Sequence, residues 1–378
     1  MEITGIICEY NPFHLGHAKQ IRKIRQDSDS GIVCLMSGNF VQRGEPAIVD
    51  KSLRAEAAVN CGADLVLEMP ITASLSSAEG FAAKSVEILG KFCHKLSFGA
   101  EHPDRDGLMA TAKALLSDEF SRHLRDALDT GISFPAARQK ALETMGADST
   151  SLICPNDILA VEYCKAILAQ GVAMKPAPIQ REGNYHADAP DGENPSATSL
   201  RKMLLEGKSV SPYLPQEAGN IFEGANLHAL SYGERAVLSK LRTMTEEEFS
   251  RVPYGSEGLW RKLMHASRSC ATLEELFAAV KSKRYTYTRI ARMVLCAFLD
   301  IDTRLLEEPV PYVRVLAFNE KGREILKIAR QRGEFINAGQ KTELPYQILE
   351  NRCGDLYGLF ARNPEAPGAE GRRRVISL

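Results

Sequence analysis

Along the first hundred residues, short apolar runs alternate with longer stretches in which apolar positions recur every three or four residues. The runs are ITGIICEY (3–10), GIVCLMS (31–37), DLVLEMP (64–70) and KLSFGAE (95–101), and helical periodicity begins at His14, at Lys51 and at about Ser76. That alternation predicts a parallel sheet with covering helices. Asp50 before the Lys51 helix and Gly62 beyond it read as its N-cap and stop. Residues 104–147 read as wholly helical, more than a crossover needs, and suggest an insertion or cap on the sheet. A helix over Asn156–Ala169 and the strand VAMKPAPI (172–179) complete an α/β, Rossmann-like sheet of five parallel strands.

Between Gln180 and Pro195 the chain is rich in Gly, Pro, Asn and Asp and has no apolar period. Such a loop inside a compact domain is more often functional than accidental. SATSLRKMLLEG then resumes as a helix, with Ser196 or Thr198 near its start and Gly207 at its end. Beyond residue 215 the pattern is mainly helical, with YVRVLAF (312–318) as a single convincing strand. SPYLPQE (211–217) breaks the periodicity, so the expected units are 1–215 and a mainly helical 216–378. The tail RNPEAPGAEGRRR (362–374) reads as mobile.

A chain of 378 residues is long enough for two domains of ordinary size. With 44% hydrophobic and 25% charged residues, and no apolar run near the ~20 residues of a membrane span, the composition is that of a soluble globular protein. The acidic start MEITGIICEYNPF lacks signal-peptide features and points to a cytoplasmic protein. Nine scattered cysteines without a C-x-x-C pair argue against a disulfide framework or a zinc ribbon. A net charge of −1 gives no global pull toward nucleic acid, so such a partner needs a local patch. One lies between residues 251 and 292, where nine Lys or Arg (251, 261, 262, 268, 281, 283, 284, 289, 292) face three acids (257, 274, 275).

The chemistry concentrates in NPFHLGH (11–17). Two histidines three apart share one face of a helix's first turn, and the first strand-to-helix turn of an open parallel sheet is the usual floor of its ligand site. Free N–H groups and the helix dipole favour an anion there. Imidazoles can donate hydrogen bonds to a phosphate as charge builds on it, and Gly16 would let a base or phosphate approach the backbone. A bare H-x-G-H matches by chance often, and the bland reading is a capped helix. Its position at the first βα turn favours nucleotide chemistry.

NPFHLGH resembles the H-x-G-H signature of the nucleotidylyltransferase superfamily, and PSATSLR (195–201) resembles its second, phosphate-holding signature. GIICEYNPFHLGH, MSGNFVQRGEPAIVDKSLRAEAAVNCGADLVLEMP, SFGAE, PNDILAVEY and KSKRYTYTRIAR are similar to one family, the bacterial tRNA(Met) cytidine acetate ligases, over residues 1 to about 320. The resemblance implies that ATP activates acetate as acetyl-adenylate, and that the acetyl group passes to the wobble cytidine amine of elongator tRNA(Met). It implies an ATP cradle of Ile7, Cys8, Glu9, Tyr10, Asn11, Pro12, Phe13, His14, Leu15, Gly16, His17, Ala18, Lys19 and Gln20, completed by Gly99, Asn156 and Arg181. His14, His17 and Arg201 would be catalytic, and Ser196 and Thr198 would bind the pyrophosphate moiety with Arg201. Magnesium is expected on the phosphates, with no ligand set visible.

Ser37, Asn39, Gln42, Arg43, Lys51 and Arg54 are candidates for acetate, cytosine or tRNA contacts, although a plain helix-surface role for Lys51 and Arg54 also fits. KSKRYTYTRIAR interleaves basic residues with Tyr285 and Tyr287, as single-stranded RNA binders do; the competing reading is a solvated face. Cys8 or Cys34 permits a covalent acetyl-cysteine, but packing is the better reading, as it is for Met36, Met69 and Met174. The competing functions are a small-molecule adenylyltransferase and a non-catalytic RNA-binding protein.

Overall fold

The computed structural model describes residues 1–181 and 196–378. Of the loop expected between Gln180 and Pro195, residues 182–195 lie outside the described residues. The five expected strands are β1 (Ile3–Cys8), β2 (Gly31–Ser37), β3 (Leu65–Met69), β4 (Lys95–Ala100) and β5 (Lys175–Gln180). They pair in parallel in the order β3-β2-β1-β4-β5.

Their near-continuous apolar character follows from cover on both faces. Ile3, Val33, Leu35, Leu65, Leu67, Leu96 and Phe98 join one core cluster with the helices Ala78–Leu89 and Pro155–Gln170. Ile6, Ile32, Cys34, Met36 and Val66 join another with α1 (Leu15–Asp27) and α2 (Lys51–Asn60). Met36, Met69 and Met174 are buried in these cores.

Two expectations need correction. The sheet has eight strands, because β6 (Val313–Phe318) pairs antiparallel with β3, while β7 (Phe335–Asn337) and β8 (Ile376–Ser377) pair in parallel with β6. The sheet is therefore continuous across the boundary expected at 215. The helices of the later segment form a separate apolar core around Leu263, Leu276, Ile290 and Leu295, into which Phe40, Ile71 and Leu75 insert.

The tail is also anchored, by a buried ion network. Glu370 is 2% exposed, and its carboxylate meets Lys51 Nζ at 2.8 Å and Arg314 at 2.5 Å. Arg373 binds Asp50 at 2.6 Å, and Lys51 also reaches Glu68 at 2.6 Å. Buried charges persist only when paired in this way. Proximity in space, invisible in a polar tail's composition, fixes the segment.

Candidate active site

A cleft of about 1160 Å³ opens at the carboxyl ends of β1, β4 and β5. Ile7, Cys8, Glu9, Tyr10, Asn11, His14, Gly16, His17, Lys19, Gln20, Gln42, Arg43, Gly99, Asn156, Arg181, Ser196, Thr198 and Arg201 line it. Pro12, Phe13, Leu15 and Ala18 do not. Phe13 and Ala18 pack in the core against Ile21 and Ile24, because the turn that presents the histidines must bury its opposite face.

The two histidines form a reciprocal cap. His14 is the N-cap of α1 and its side chain accepts the Gly16 N–H at Nδ1 (3.1 Å), while His17 Nδ1 accepts the His14 N–H (3.3 Å). The rings stack with centroids 3.8 Å apart. An Nδ1 that accepts a hydrogen bond carries no proton, so each neutral ring holds its proton on Nε2. Burial, and after it the positive charges of Arg181 and Arg201, lower the His14 pKa to about 3. Burial, then His14 and Arg181, hold His17 well below its ordinary value. Both are neutral Nε2–H donors at neutral pH. Gly16 makes room for the ring: a Cβ there would lie 2.9 Å from His14 Cε1.

Two arginines flank the pair. Arg201 Nη1 donates to the Asn11 carbonyl (3.0 Å) and Nη2 to Thr198 Oγ1 (3.3 Å). Arg181 Nη1 donates to Asn156 Oδ1 (3.2 Å). Ser196 caps the helix Ala197–Leu205 by accepting the Ser199 N–H (3.0 Å). Asn11 Oδ1 accepts the Ile48 N–H, whereas its buried Nδ2 has no hydrogen-bond partner among the described residues. Tyr10, between β1 and the cap, adopts a left-handed backbone (φ 47°), a conformation that costs energy in a bulky residue and is concentrated at functional sites.

Four of the six polar candidates after β2 do not reach the cleft. Ser37 and Asn39 are buried, and Lys51 belongs to the ion network. Arg54, fully buried, donates to the carbonyls of Val49, Glu9, Ser37 and Gly38, and so gathers the ends of β1 and β2. Cys34 is buried. Burial, followed by contact with Cys34, pushes the Cys8 thiol well above its ordinary value, which disfavours a thiolate nucleophile. Glu101 was not among the expected site residues, yet it holds Asn156 Nδ2 (2.5 Å) and the Asp157 N–H (2.9 Å). Its position just after β4, two residues beyond Gly99, was the available signal.

A family model described as HIGH nucleotidyl transferase matches residues 1–368. The tRNA(Met) cytidine acetate ligase of Clostridium novyi is 40% identical over 86% of this chain and 87% of its own, and that of Acetivibrio thermocellus is 32% identical over 100% of both. The chain belongs to the tRNA(Met) cytidine acetate ligase family. A crystal structure of Thermotoga maritima TmcAL, without ligand, superposes on this ligase with a TM-score of 0.93 at 29% identity over 100% of both chains. TmcAL bound with alpha-thio ATP matches with 0.89 at 30% identity, also over 100% of both. The small-molecule adenylyltransferase reading is not favoured by these relatives. Among the described residues, no helix of the ligase is long and apolar enough to cross a membrane.

Proposed function

We propose that the chain condenses ATP and acetate to acetyl-adenylate in this cleft and transfers the acetyl group to the N4 amine of the wobble cytidine of elongator tRNA(Met). The observation that carries this reading is the stacked pair of neutral histidines with both Nδ1 atoms bound to backbone. The two Nε2–H groups remain as donors for an oxygen of the α-phosphate. An acetate oxygen forms a bond to the α-phosphorus as the bond to the bridging oxygen breaks, and pyrophosphate leaves. The Nε2–H donors stabilise charge gathering on the phosphoryl oxygens. Arg181 and Arg201 offset charge on the triphosphate. The cytidine amine then attacks the acetyl carbonyl, loses a proton, and AMP departs.

Magnesium, expected on the phosphates, finds no protein cage among the described residues. Their one cluster of three metal-ligating groups is His102, Cys154 and Asp157, a nitrogen, sulfur and oxygen set unlike the oxygen shell magnesium takes. In this reading, phosphate oxygens and water would hold the ion.

The tRNA side of the reading rests on the stretch 281–292, which borders the cleft: Thr288 lines it, and Arg292 Nη1 donates to the Gln42 carbonyl (3.1 Å). Within it the roles divide. Arg284 and Tyr285 bind Glu257, and Arg289 binds the Tyr254 carbonyl. Arg292 is buried, while Lys281 and Lys283 are exposed. The exposed lysines are the better phosphate contacts, and the paired arginines shape the surface. A cytoplasmic setting suits nine free thiols.

The experiment is pyrophosphate release and acetyl-adenylate formation from ATP, with and without acetate and tRNA. Acetate-dependent adenylate formation, lost in His14→Ala and His17→Ala variants of intact fold, is expected. Release that ignores acetate would refute the ligase reading.

A further inference from the structure

Glu101 follows β4 and faces the N-terminus of the helix Pro155–Gln170. Cys154, the N-cap residue of that helix, makes no side-chain cap hydrogen bond. Glu101 Oε2 supplies one from another element by accepting the Asp157 N–H, where a negative charge also suits the helix dipole. Its other oxygen accepts from Asn156 Nδ2.

A carboxylate only accepts hydrogen bonds and a guanidinium only donates them. Asn156 lies between the two and must turn its NH2 toward Glu101 and its Oδ1 toward Arg181, the orientation found. Burial lowers the Arg181 pKa and Glu101 is the first charge opposing that effect, so the carboxylate also helps keep the guanidinium charged. Arg181 in turn is one of the charges that keep both histidines neutral. One acceptor at the strand end therefore sets the direction of the hydrogen bonds that run through Asn156 to the phosphate side of the cleft.

We propose that Glu101 is a positioning residue for adenylation: through the Asn156 amide it aims the Arg181 guanidinium at the triphosphate. The inference rests on the proposed use of the cleft for ATP. A glutamine at 101 keeps one acceptor for the Asp157 N–H but points an NH2 at the NH2 of Asn156. The amide must then flip and present its NH2 to Arg181, where two donors cannot bond. The further change Asn156→Asp restores the alternation, because the carboxylate it introduces accepts from both the glutamine and Arg181, with the net charge unchanged.

The test compares full-length wild type, Glu101→Gln and the double variant Glu101→Gln/Asn156→Asp. ATP affinity is measured by calorimetry, acetate-dependent pyrophosphate exchange by radiolabel, and melting temperature in parallel. Glu101→Gln is expected to weaken ATP binding about tenfold and to slow exchange about 10- to 100-fold, with the melting temperature within about 3 °C of wild type. The double variant recovers most of both losses. Glu101→Gln within about twofold of wild type in ATP affinity, or a loss that the double variant leaves in place, overturns the proposal. Should wild type bind ATP without acetate-dependent exchange, the ligase reading falls, while the affinity series still decides the role of Glu101.

Discussion

A Cβ on Gly16 would sit 2.9 Å from Cε1 and 3.1 Å from Nδ1 of His14, inside the cap that this ring makes with its own helix. The glycine between the histidines is thus a packing requirement of the first ring. Gly16→Ala is expected to displace His14 and reduce kcat for acetyl-adenylate formation about 100-fold while the fold persists. Steady-state pyrophosphate release with a circular dichroism control checks it.

Removing one Nε2–H donor, as in His14→Ala or His17→Ala, should cost about 100- to 1000-fold in kcat. In the proposed role of His14 as a donor to charge that develops in the reaction, the loss should fall on kcat more than on KM for ATP. A change confined to KM would assign these rings to ground-state binding alone.

His14 has a folded-state pKa of about 3 against an ordinary 6.5. The unfolded chain binds its proton first, so the stability due to the neutral ring is complete above about pH 6.5 and declines as pH falls toward 3. Urea midpoints between pH 7 and pH 4 should fall for wild type, and less steeply for His14→Gln. Parallel slopes would contradict burial as the cause.

Glu370 carries the opposite sign. Burial pushes its pKa up, but Lys51, Arg373 and Arg314 together outweigh burial and hold it at about 2 against an ordinary 4.5. Its contribution is complete above about pH 4.5 and is lost as pH falls toward 2. Lys51→Met removes one of the two cations that Glu68 and Glu370 share, leaving Arg314 on both, and should destabilise by about 3 kcal/mol, read as a lower urea midpoint. An unchanged midpoint would remove the network from the stability of the tail.

Charge reversal at Lys283 should weaken tRNA binding while ATP binding holds, with a shallower salt dependence in filter assays. Arg284→Glu should do more, since it also sets like charge against Glu257, the partner of both Arg284 and Tyr285. Unaltered affinity in both variants would discard this stretch as the docking surface.

The five apolar runs, the helix periods and the position of H-x-G-H at the first βα turn pointed to a site at the strand ends, because strand and helix periods follow from local hydrophobic pattern, whereas the order of the strands is set only by the folded chain. Position and residue type also marked His14 and His17, while Arg181 and Arg201 were marked through the family resemblance. Three relationships required the folded chain: β6 closing against β3 across more than two hundred residues of sequence, the tail carboxylate of Glu370 meeting Lys51, and Glu101 directing Asn156. Each pairs groups that are distant in the chain and unremarkable in composition. Burial and a shared partner, which arise only when segments meet, decide whether a charge is solvated, structural or aimed at a ligand.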